Sequence, residues 1–313
     1  MKKFDFTIDK GTLGEWVNDM GQELLSKEIL NSETTSYIEI MPDVKYKKEL
    51  KYLDSTPIVQ AYSCGTPTTS GTTSLTSKDI EVKHFMVYQT LCPSDLNDTA
   101  LSLSQSRGLD TDLPFEGQYA TLNIKNVQKT IENEIWVKTS GSTHVGGFLN
   151  QFDEDGDVVD YTFDFGATGH TDAELIAGFW GMIDEIPEEI TGMEDLTMFM
   201  GHDLFRKLSR AFLNTGNVLL QKFDFNGVDV FEFPGAENVK IRPVNGLNKS
   251  NNTDQRVVIT PASNLVFATD LFEEETQIKM WFSDDDQQFK FFTNWKSGQT
   301  YKFSEYVVVS KKS

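Results

Sequence analysis

Few side chains in this sequence have the types and the spacing that catalysis or metal binding requires. The chain of 313 residues contains four histidines, His84, His144, His170 and His202, and none has a second His or a Cys at metal-ligand spacing. The sequence also lacks the patterns of a serine-hydrolase elbow, a phosphate-binding loop, a dinucleotide-binding turn and a zinc-protease helix. We therefore interpret the histidines as structural or solvent-exposed residues and expect no catalytic centre.

The two cysteines, Cys64 and Cys92, lie far apart and form no Cys-x-x-Cys pair. This usage favours reduced thiols in a cytoplasm over a disulfide framework or a zinc site. A nucleophilic role for Cys92, which precedes Pro93, would require an electropositive surrounding that contains a base. The sequence by itself does not provide one, so we predict no catalytic nucleophile.

Two acidic runs are candidates for metal binding or acid–base catalysis. The run 153–157 is superficially similar to a calcium-binding loop, but its Gly stands fourth rather than sixth and the twelfth position lacks Glu. Asp184, Glu185, Glu188 and Glu189 lie at a predicted helix end, and general-acid catalysis needs a cleft as well as paired carboxylates. We interpret the first run as a solvated hairpin tip and the second as wet surface. We therefore expect no metal, no cofactor and no enzymatic activity.

The charge of the chain excludes some partners and divides the sequence. The chain has 48 acidic and 28 basic residues, a formal net charge of −20. This charge is unfavourable for sequence-blind nucleic-acid binding, which depends on Lys and Arg contacts to phosphate. Fifteen acids and no Lys or Arg fall between Thr139 and Phe205, so we predict a separate structural unit beginning near residue 140. We find no apolar run of about 18 residues and no apolar N-terminal segment, so we expect neither a membrane span nor an export signal.

An amphipathic helix is predicted near the N-terminus. Residues 12–15 have the spacing of a capping box, and Leu13, Trp16, Val17 and Met20 then follow at helical spacing. The helix should end near residue 30. Because its apolar stripe precedes any predicted domain, we expect it to dock on its own chain or on a neighbouring copy.

A long hairpin is predicted after an irregular polar stretch over 31–54. A segment rich in Thr, Ser and Gly, 64–74, separates strand-like runs over 56–62 and 75–90. An isolated hairpin is marginally stable in water, so the segment is either a mobile surface loop or an arm that lies on another subunit. Under the second interpretation the tip threonines are candidate assembly residues: Thr66, Thr68, Thr69, Thr72 and Thr73.

The remaining chain is mixed. A helix of about 24 residues, about 36 Å long, is predicted over 114–137. The acidic segment predicts strands over 148–165, a helix that starts with the capping box at Thr171, a buried strand over 196–200 and a helix over 202–213. From residue 216 onward the patterns predict strands over 228–233, 239–244, 256–260, 265–269, 277–282, 288–293 and 306–309. The fold class is therefore α+β.

Several sequence blocks match a known family in their order. They include Ala-Tyr-Ser-Cys-Gly at 61–65, Leu-Cys-Pro-Ser-Asp-Leu at 91–96, Met-Phe-Met-Gly-His-Asp-Leu-Phe-Arg at 198–206, Val-Asn-Gly-Leu-Asn at 244–248 and Met-Trp-Phe-Ser-Asp-Asp-Asp at 280–286. In this order the chain resembles tailed-bacteriophage major capsid proteins of the Hong Kong 97-type fold, most closely those of crAss-like and related Bacteroidetes phages.

The resemblance implies a domain organisation and a role. The implied parts are an N-terminal arm (1–53), an extended loop lying across a neighbouring subunit (54–90), a peripheral domain (91–138 and 255–313, with a spine helix at about 114–137) and an axial domain (139–254). Many copies would form hexamers and pentamers of an icosahedral shell that encloses double-stranded DNA. The implied partners are portal, scaffold, and decoration or head-fibre proteins, and the implied location is the virion capsid, assembled in the bacterial host cytoplasm. The Lys–Asn crosslink of the phage that names the fold has no match here.

Three alternatives remain open at this stage. An encapsulin-type compartment shares the fold and would contain a groove for cargo peptides. A phage tail structural protein would more naturally show repeats or a purely β pattern. A carboxylate-based hydrolase would need a cleft that joins acids such as Asp160 and Glu188. If acidic axial lobes crowd around a symmetry axis, assembly should also depend on salt or divalent cations.

Overall fold

The computed structural model describes residues 32–56, 58–60, 71–92, 115–216, 220–223, 229–270 and 277–312. The predicted N-terminal helix and most of the predicted hairpin tip lie outside these ranges, including the candidate residues Leu13, Trp16, Val17, Met20, Thr66, Thr68 and Thr69. Of the tip threonines, Thr72 and Thr73 are described, at the start of a strand.

The described residues form four α-helices and fourteen strands. The helices are α1 (Phe115–Trp136), α2 (Phe148–Glu154), α3 (Asp172–Asp184) and α4 (His202–Asn214). The strands are β1 (Glu39–Met41), β2 (Lys47–Thr56), β3 (Thr72–Glu81), β4 (Lys83–Leu91), β5 (Val159–Thr162), β6 (Leu196–Met200), β7 (Leu220–Phe223), β8 (Asp229–Phe233), β9 (Ala236–Pro243), β10 (Val258–Pro261), β11 (Leu265–Thr269), β12 (Gln277–Ser283), β13 (Gln288–Tyr301) and β14 (Val308–Lys311). None of the helices in these ranges is long and apolar enough to cross a bilayer.

A five-stranded sheet and the long helix α1 form the first core. The strand order is β1-β11-β13-β12, and β4 also pairs with β13. Helix α1 buries Ile124, Val127, Ile131 and Ile135, whose spacing of three to four residues places them on one helical face. The helix predicted over 114–137 is thus confirmed, with 22 residues.

A seven-stranded sheet separates this first core from a second one. Its order is β5-β14-β10-β6-β9-β8-β7. In the fully buried strand β6, Met198 and Met200 belong to the second core, with α3 and α4, whereas Phe199 belongs to the first. Because side chains alternate across a strand, one strand serves both cores, which pack on opposite faces of this sheet.

The predicted hairpin exists, but its arms differ from those expected. Strands β2 and β3 pair antiparallel over ten residues each, from Lys47 opposite Glu81 to Thr56 opposite Thr72. The first arm therefore lies mostly in the segment predicted to be irregular. The run predicted over 75–90 is two strands, because the chain leaves the hairpin at Val82 and continues as β4 in the five-stranded sheet.

Two further predictions were wrong in extent or type. Residues 148–154 form helix α2 instead of a strand, since Phe148, Leu149 and Phe152 are all buried and their spacing fits a helix better than an alternating strand. Strand β13 runs to Tyr301, well beyond the predicted end at Thr293. In the second half of β13 many buried residues are polar, so the sequence does not show the alternation of apolar and polar residues that marks a strand. Strands β1 and β7 were not predicted.

Candidate assembly surfaces

The segment that enters the described body at residues 32–36 is anchored to α1 by a buried hydrogen-bond network. The Thr34 backbone N–H donates to Glu132 Oε1 at 2.8 Å, and the Thr34 hydroxyl donates to Oε2 at 2.6 Å. The Trp136 indole N–H donates to the same hydroxyl at 2.7 Å. Burial raises the pKa of Glu132, although the hydrogen bonds from Thr34 oppose that shift. The network fixes Thr34 against α1.

The neighbouring residue Glu33 ties the same segment to the end of the seven-stranded sheet. Its carboxylate accepts hydrogen bonds from the backbone N–H and the side-chain amide of Asn245, both at 2.7 Å. His202 Nε2, at the start of α4, lies 3.4 Å from Glu33 Oε2. The segment 32–36 therefore contacts both α1, through Thr34, and the end of the seven-stranded sheet, through Glu33.

The root of the hairpin is held to the body through Lys78 of β3. Its Nζ atom lies 3.2 Å from the centre of the Tyr301 ring and 3.6 Å from Asp155 Oδ2. Asp155 Oδ2 also accepts hydrogen bonds from the Tyr301 hydroxyl at 2.5 Å and the Ser304 hydroxyl at 2.6 Å. Burial alone would raise the pKa of Asp155, but these hydrogen bonds outweigh it and lower the pKa to about 2. Burial also lowers the pKa of Lys78.

Apolar side chains further along the hairpin are exposed. Leu53 and Leu75 are cross-strand partners, and 70% and 65% of their surfaces are accessible. Val59, beyond the end of β2, is almost fully exposed. Single exposed apolar residues are common, but paired ones on a projecting ribbon indicate a surface that binds another protein.

A second exposed apolar patch lies on the outer face of the five-stranded sheet. In β4, Phe85 and Val87 pack on the first core, while Met86 and Tyr88 point to the opposite face, 72% and 49% exposed. The Tyr88 ring centroid lies 6.4 Å from that of the partly exposed Trp281 in β12. The outer face of this sheet is thus a candidate for contact with another chain.

The residues considered for chemistry from sequence occupy structural positions. His144 Nδ1 lies 2.7 Å from Glu134 Oε2, and His170 Nε2 lies 2.8 Å from the backbone oxygen of Asp164. Cys92 is half-buried just after β4 and forms no disulfide within the described residues. Over the ranges that the structure covers, no group of three or more His, Cys, Asp or Glu side chains is placed to hold a metal ion.

The acidic run 153–157 is not the solvated hairpin tip that we predicted. It begins within the last turn of α2, and Asp153 forms a two-pronged ion pair with Arg256, both distances being 2.7 Å. Asp155 binds the root of the hairpin as described above. By contrast, Glu188 and Glu189 are exposed, in agreement with the predicted wet surface.

Sequence reasoning missed the residues that anchor the segment 32–36 and the root of the hairpin, Thr34, Glu132 and Lys78. One signal was present in α1, where Glu132 lies one turn before Trp136, on the buried stripe of the helix. A charged residue on such a stripe indicates a buried polar contact.

Solved structures from phage and GTA particles share this arrangement. A chain of the satellite phage P4 procapsid, an assembly described as including the size determination (Sid) protein, matches with a TM-score of 0.57 and 13% identity, over 94% of this chain and 98% of that chain. A capsid chain of an empty GTA particle matches with a TM-score of 0.55 and 10% identity, over 90% of each chain. A chain from Gordonia phage Cozz matches with a TM-score of 0.57 and 10% identity, over 90% and 86%. No family model and no curated protein matches the sequence.

At identities of 10% to 13%, these matches establish a likeness of fold. The chain has the mixed α+β fold of phage capsid proteins, the Hong Kong 97-like major capsid fold. The resemblance seen in the sequence is confirmed at this level.

Proposed function

We propose that this chain is the major capsid protein of a tailed phage related to the crAss-like phages of Bacteroidetes. Many copies assemble through hexamers and pentamers into an icosahedral shell around double-stranded DNA. The observation that carries the proposal is the match to phage and GTA capsid chains over at least 90% of this chain. The exposed apolar pair Leu53 and Leu75 on the hairpin supports it, because an assembly gives that surface a partner.

The proposal assigns a role to each part of the chain. The sequence-based division is an N-terminal arm (1–53), an extended loop (54–90), an axial domain (139–254) and a peripheral domain (91–138 with 255–313). We adjust it to the strand pairing: the arm ends before Lys47, β2 and β3 form the extended loop, β4 belongs to the peripheral domain, and β10 and β14 belong with the axial strands of the seven-stranded sheet. The shell contacts portal, scaffold, and decoration or head-fibre proteins, and it assembles in the cytoplasm of the bacterial host. DNA is enclosed without sequence-specific binding, in keeping with the net charge of −20.

Two sets of residues are proposed to stabilise contacts between copies. In the N-terminal helix, replacing Leu13, Trp16 and Val17 by Ser should impair particle formation more than folding of the subunit. Deleting 66–74, which removes all five candidate tip threonines, should lower the thermal stability of the particle and leave the body folded. Normal particles from the first variant, or unchanged particle melting for the second, would remove that set from the proposal.

Negative-stain electron microscopy of the purified protein tests the proposal directly. Closed shells, tubes, or rings of five or six copies are expected at moderate salt. A chain that stays monomeric at all concentrations, both alone and coexpressed with a scaffold protein of its phage, would contradict the proposal. Nucleic acid inside the particles of infected cells supports a phage capsid, whereas a protein cargo would indicate an encapsulin-type compartment.

A further inference from the structure

Helix α4 presents a basic face within the most acidic part of the chain. After the run without Lys or Arg that ends at Phe205, three basic residues follow on α4: Arg206, Lys207 and Arg210. All three are exposed, and Lys249 beside them is exposed as well. The Lys207 Nζ donates a hydrogen bond to Gln255 Oε1 at 2.6 Å, and partial burial of this end of the side chain, together with the charge of Lys249, lowers the pKa of Lys207.

An exposed leucine continues this face. Leu213 follows Arg206 and Arg210 at helical spacing, so the three side chains form one stripe, and 62% of the Leu213 surface is accessible. We call Arg206, Lys207, Arg210, Leu213 and Lys249 the basic face. Arginine next to an apolar side chain is typical of protein–protein interfaces, where Arg is enriched and Lys depleted.

The complementary charge lies at the other end of the same lobe. Six exposed carboxylates surround the turns that follow α3 and precede β9, and we call this set the acidic tip: Asp184, Glu185, Glu188, Glu189, Glu194 and Glu237. The two turns are held together by a hydrogen bond from the Asn238 amide to the backbone oxygen of Thr191.

The basic face and the acidic tip are kept apart within one subunit. The tip leads into β6 at Leu196, whereas α4 starts after Met200 at the opposite end of that strand. At its C-terminal end, α4 contacts the start of α3 through a hydrogen bond of 2.7 Å from Asn214 to Asp172. The tip begins at the other end of α3, about 18 Å away along the helix. In the part of the chain that the structure describes, the ion pair of Arg206 is with Asp203 on α4 itself.

We propose that the basic face of α4 docks on the acidic tip of the next copy around the ring. The inference rests on the proposed function, because it concerns the contact that closes a hexamer or pentamer. A head-to-tail ring requires each copy to present two different, complementary surfaces, and this lobe presents one of each sign. Opposite charges at such a contact accelerate encounter and fix the register. In this arrangement the acidic tip of each copy contacts the basic side chains of its neighbour, and the acidic tips do not face each other at the symmetry axis of the ring.

The decisive experiment measures ring and shell formation by sedimentation and electron microscopy for a set of charge variants. Arg206→Glu with Arg210→Glu should lower the association constant by about tenfold or more, since each pair then repels. Glu188→Arg with Glu189→Arg should have the same effect. Combining all four changes should restore assembly, because the complementarity is re-created with reversed signs. The matched control reverses Lys125 and Lys129, two exposed lysines one turn apart on α1, and should assemble as the wild type does.

A milder change, which neutralises acidic-tip residues without reversing their charge, should shift assembly in opposite directions under the two possible arrangements of the tips. Glu188→Gln with Glu189→Gln should weaken assembly if the tips bind basic faces, and strengthen it if the tips repel each other around the axis. Stronger assembly of this variant, or failure of the fourfold variant to recover while each double variant folds with an unchanged melting temperature, overturns the inference. Wild-type protein that stays monomeric, both alone and with a scaffold protein of its phage, would instead overturn the proposed function.

Discussion

Replacing Thr34 by Val tests whether the anchor of the N-terminal segment stabilises the whole body. Val has nearly the shape of Thr, so the change removes the hydroxyl and little else. The buried Glu132 then loses a donor and the buried Trp136 indole loses its acceptor. A lost hydrogen bond to a buried charge costs about 1.5–3 kcal/mol, and an unsatisfied buried donor costs about 1–3 kcal/mol. Together the free energy of unfolding should fall by about 3–5 kcal/mol.

The assay is thermal unfolding of dilute, unassembled subunits, followed by circular dichroism. For a chain of this size a change of 1 kcal/mol moves the melting temperature by about 2 °C, so Thr34→Val should lower it by about 6–10 °C. Thr34→Ser is the matched control, because it keeps both hydrogen bonds and loses one buried methyl group, worth about 0.8 kcal/mol. Equal shifts for Val and Ser would refute the role of the hydroxyl as the bridge between the two side chains.

Three further predictions concern the anchor and the hairpin root. Because burial raises the pKa of Glu132 above its ordinary 4.5, the native chain takes up this proton at a higher pH than the unfolded chain does. Lowering the pH from 7 towards 4.5 should therefore stabilise the wild type relative to Glu132→Gln, and a melting-temperature difference that stays constant with pH would contradict this. Lys78→Met should speed amide exchange in β3 about tenfold, from the loss of about 1–2 kcal/mol at the hairpin root, and leave α3 unaffected. Gly298→Ala should lower the free energy of unfolding by up to about 3 kcal/mol through overpacking, since a Cβ there would lie 2.0 Å from the backbone oxygen of Glu81. Gly141→Ala is the control. Because open space surrounds Gly141, this change should be neutral in the same unfolding assay.

Local patterns in the sequence predicted three of the four described helices, α1, α3 and α4, and missed α2. The capping box at Thr171 and Glu174 forms both of its hydrogen bonds, and α3 begins where it indicates. The stripe that includes Ile131 and Ile135 marks α1 because a single buried face repeats with the helical period. The residues that predict these helices lie close together in the sequence, so the helices could be predicted without knowledge of tertiary contacts.

Strand extents and anchoring contacts could not be found in the same way. The second half of β13 buries Ser297 and Gln299, and polar residues hide the alternation that marks a strand. Gln299 donates to the backbone oxygens of Glu134 and Gly146, partners that are distant in sequence. The same holds for Thr34 and Glu132, which are 98 positions apart. No local pattern encodes which distant residue satisfies a buried polar group.

The hairpin shows why a subunit with this structure needs neighbours. Within the described part of the chain, β2 and β3 form a separate two-stranded sheet, and such a ribbon is marginal in water by itself. The root is held by the contact of Lys78 with Tyr301 and by the packing of Leu50 and Ile80 against β11, while Leu53 and Leu75 further out remain exposed. Fully burying one leucine is worth about 1.5–3 kcal/mol, so covering this pair on a neighbour offsets much of the cost of ordering the ribbon. Under the proposed function each copy lends its hairpin to a neighbour and covers the hairpin of another, so this stabilisation would be gained once per subunit on assembly.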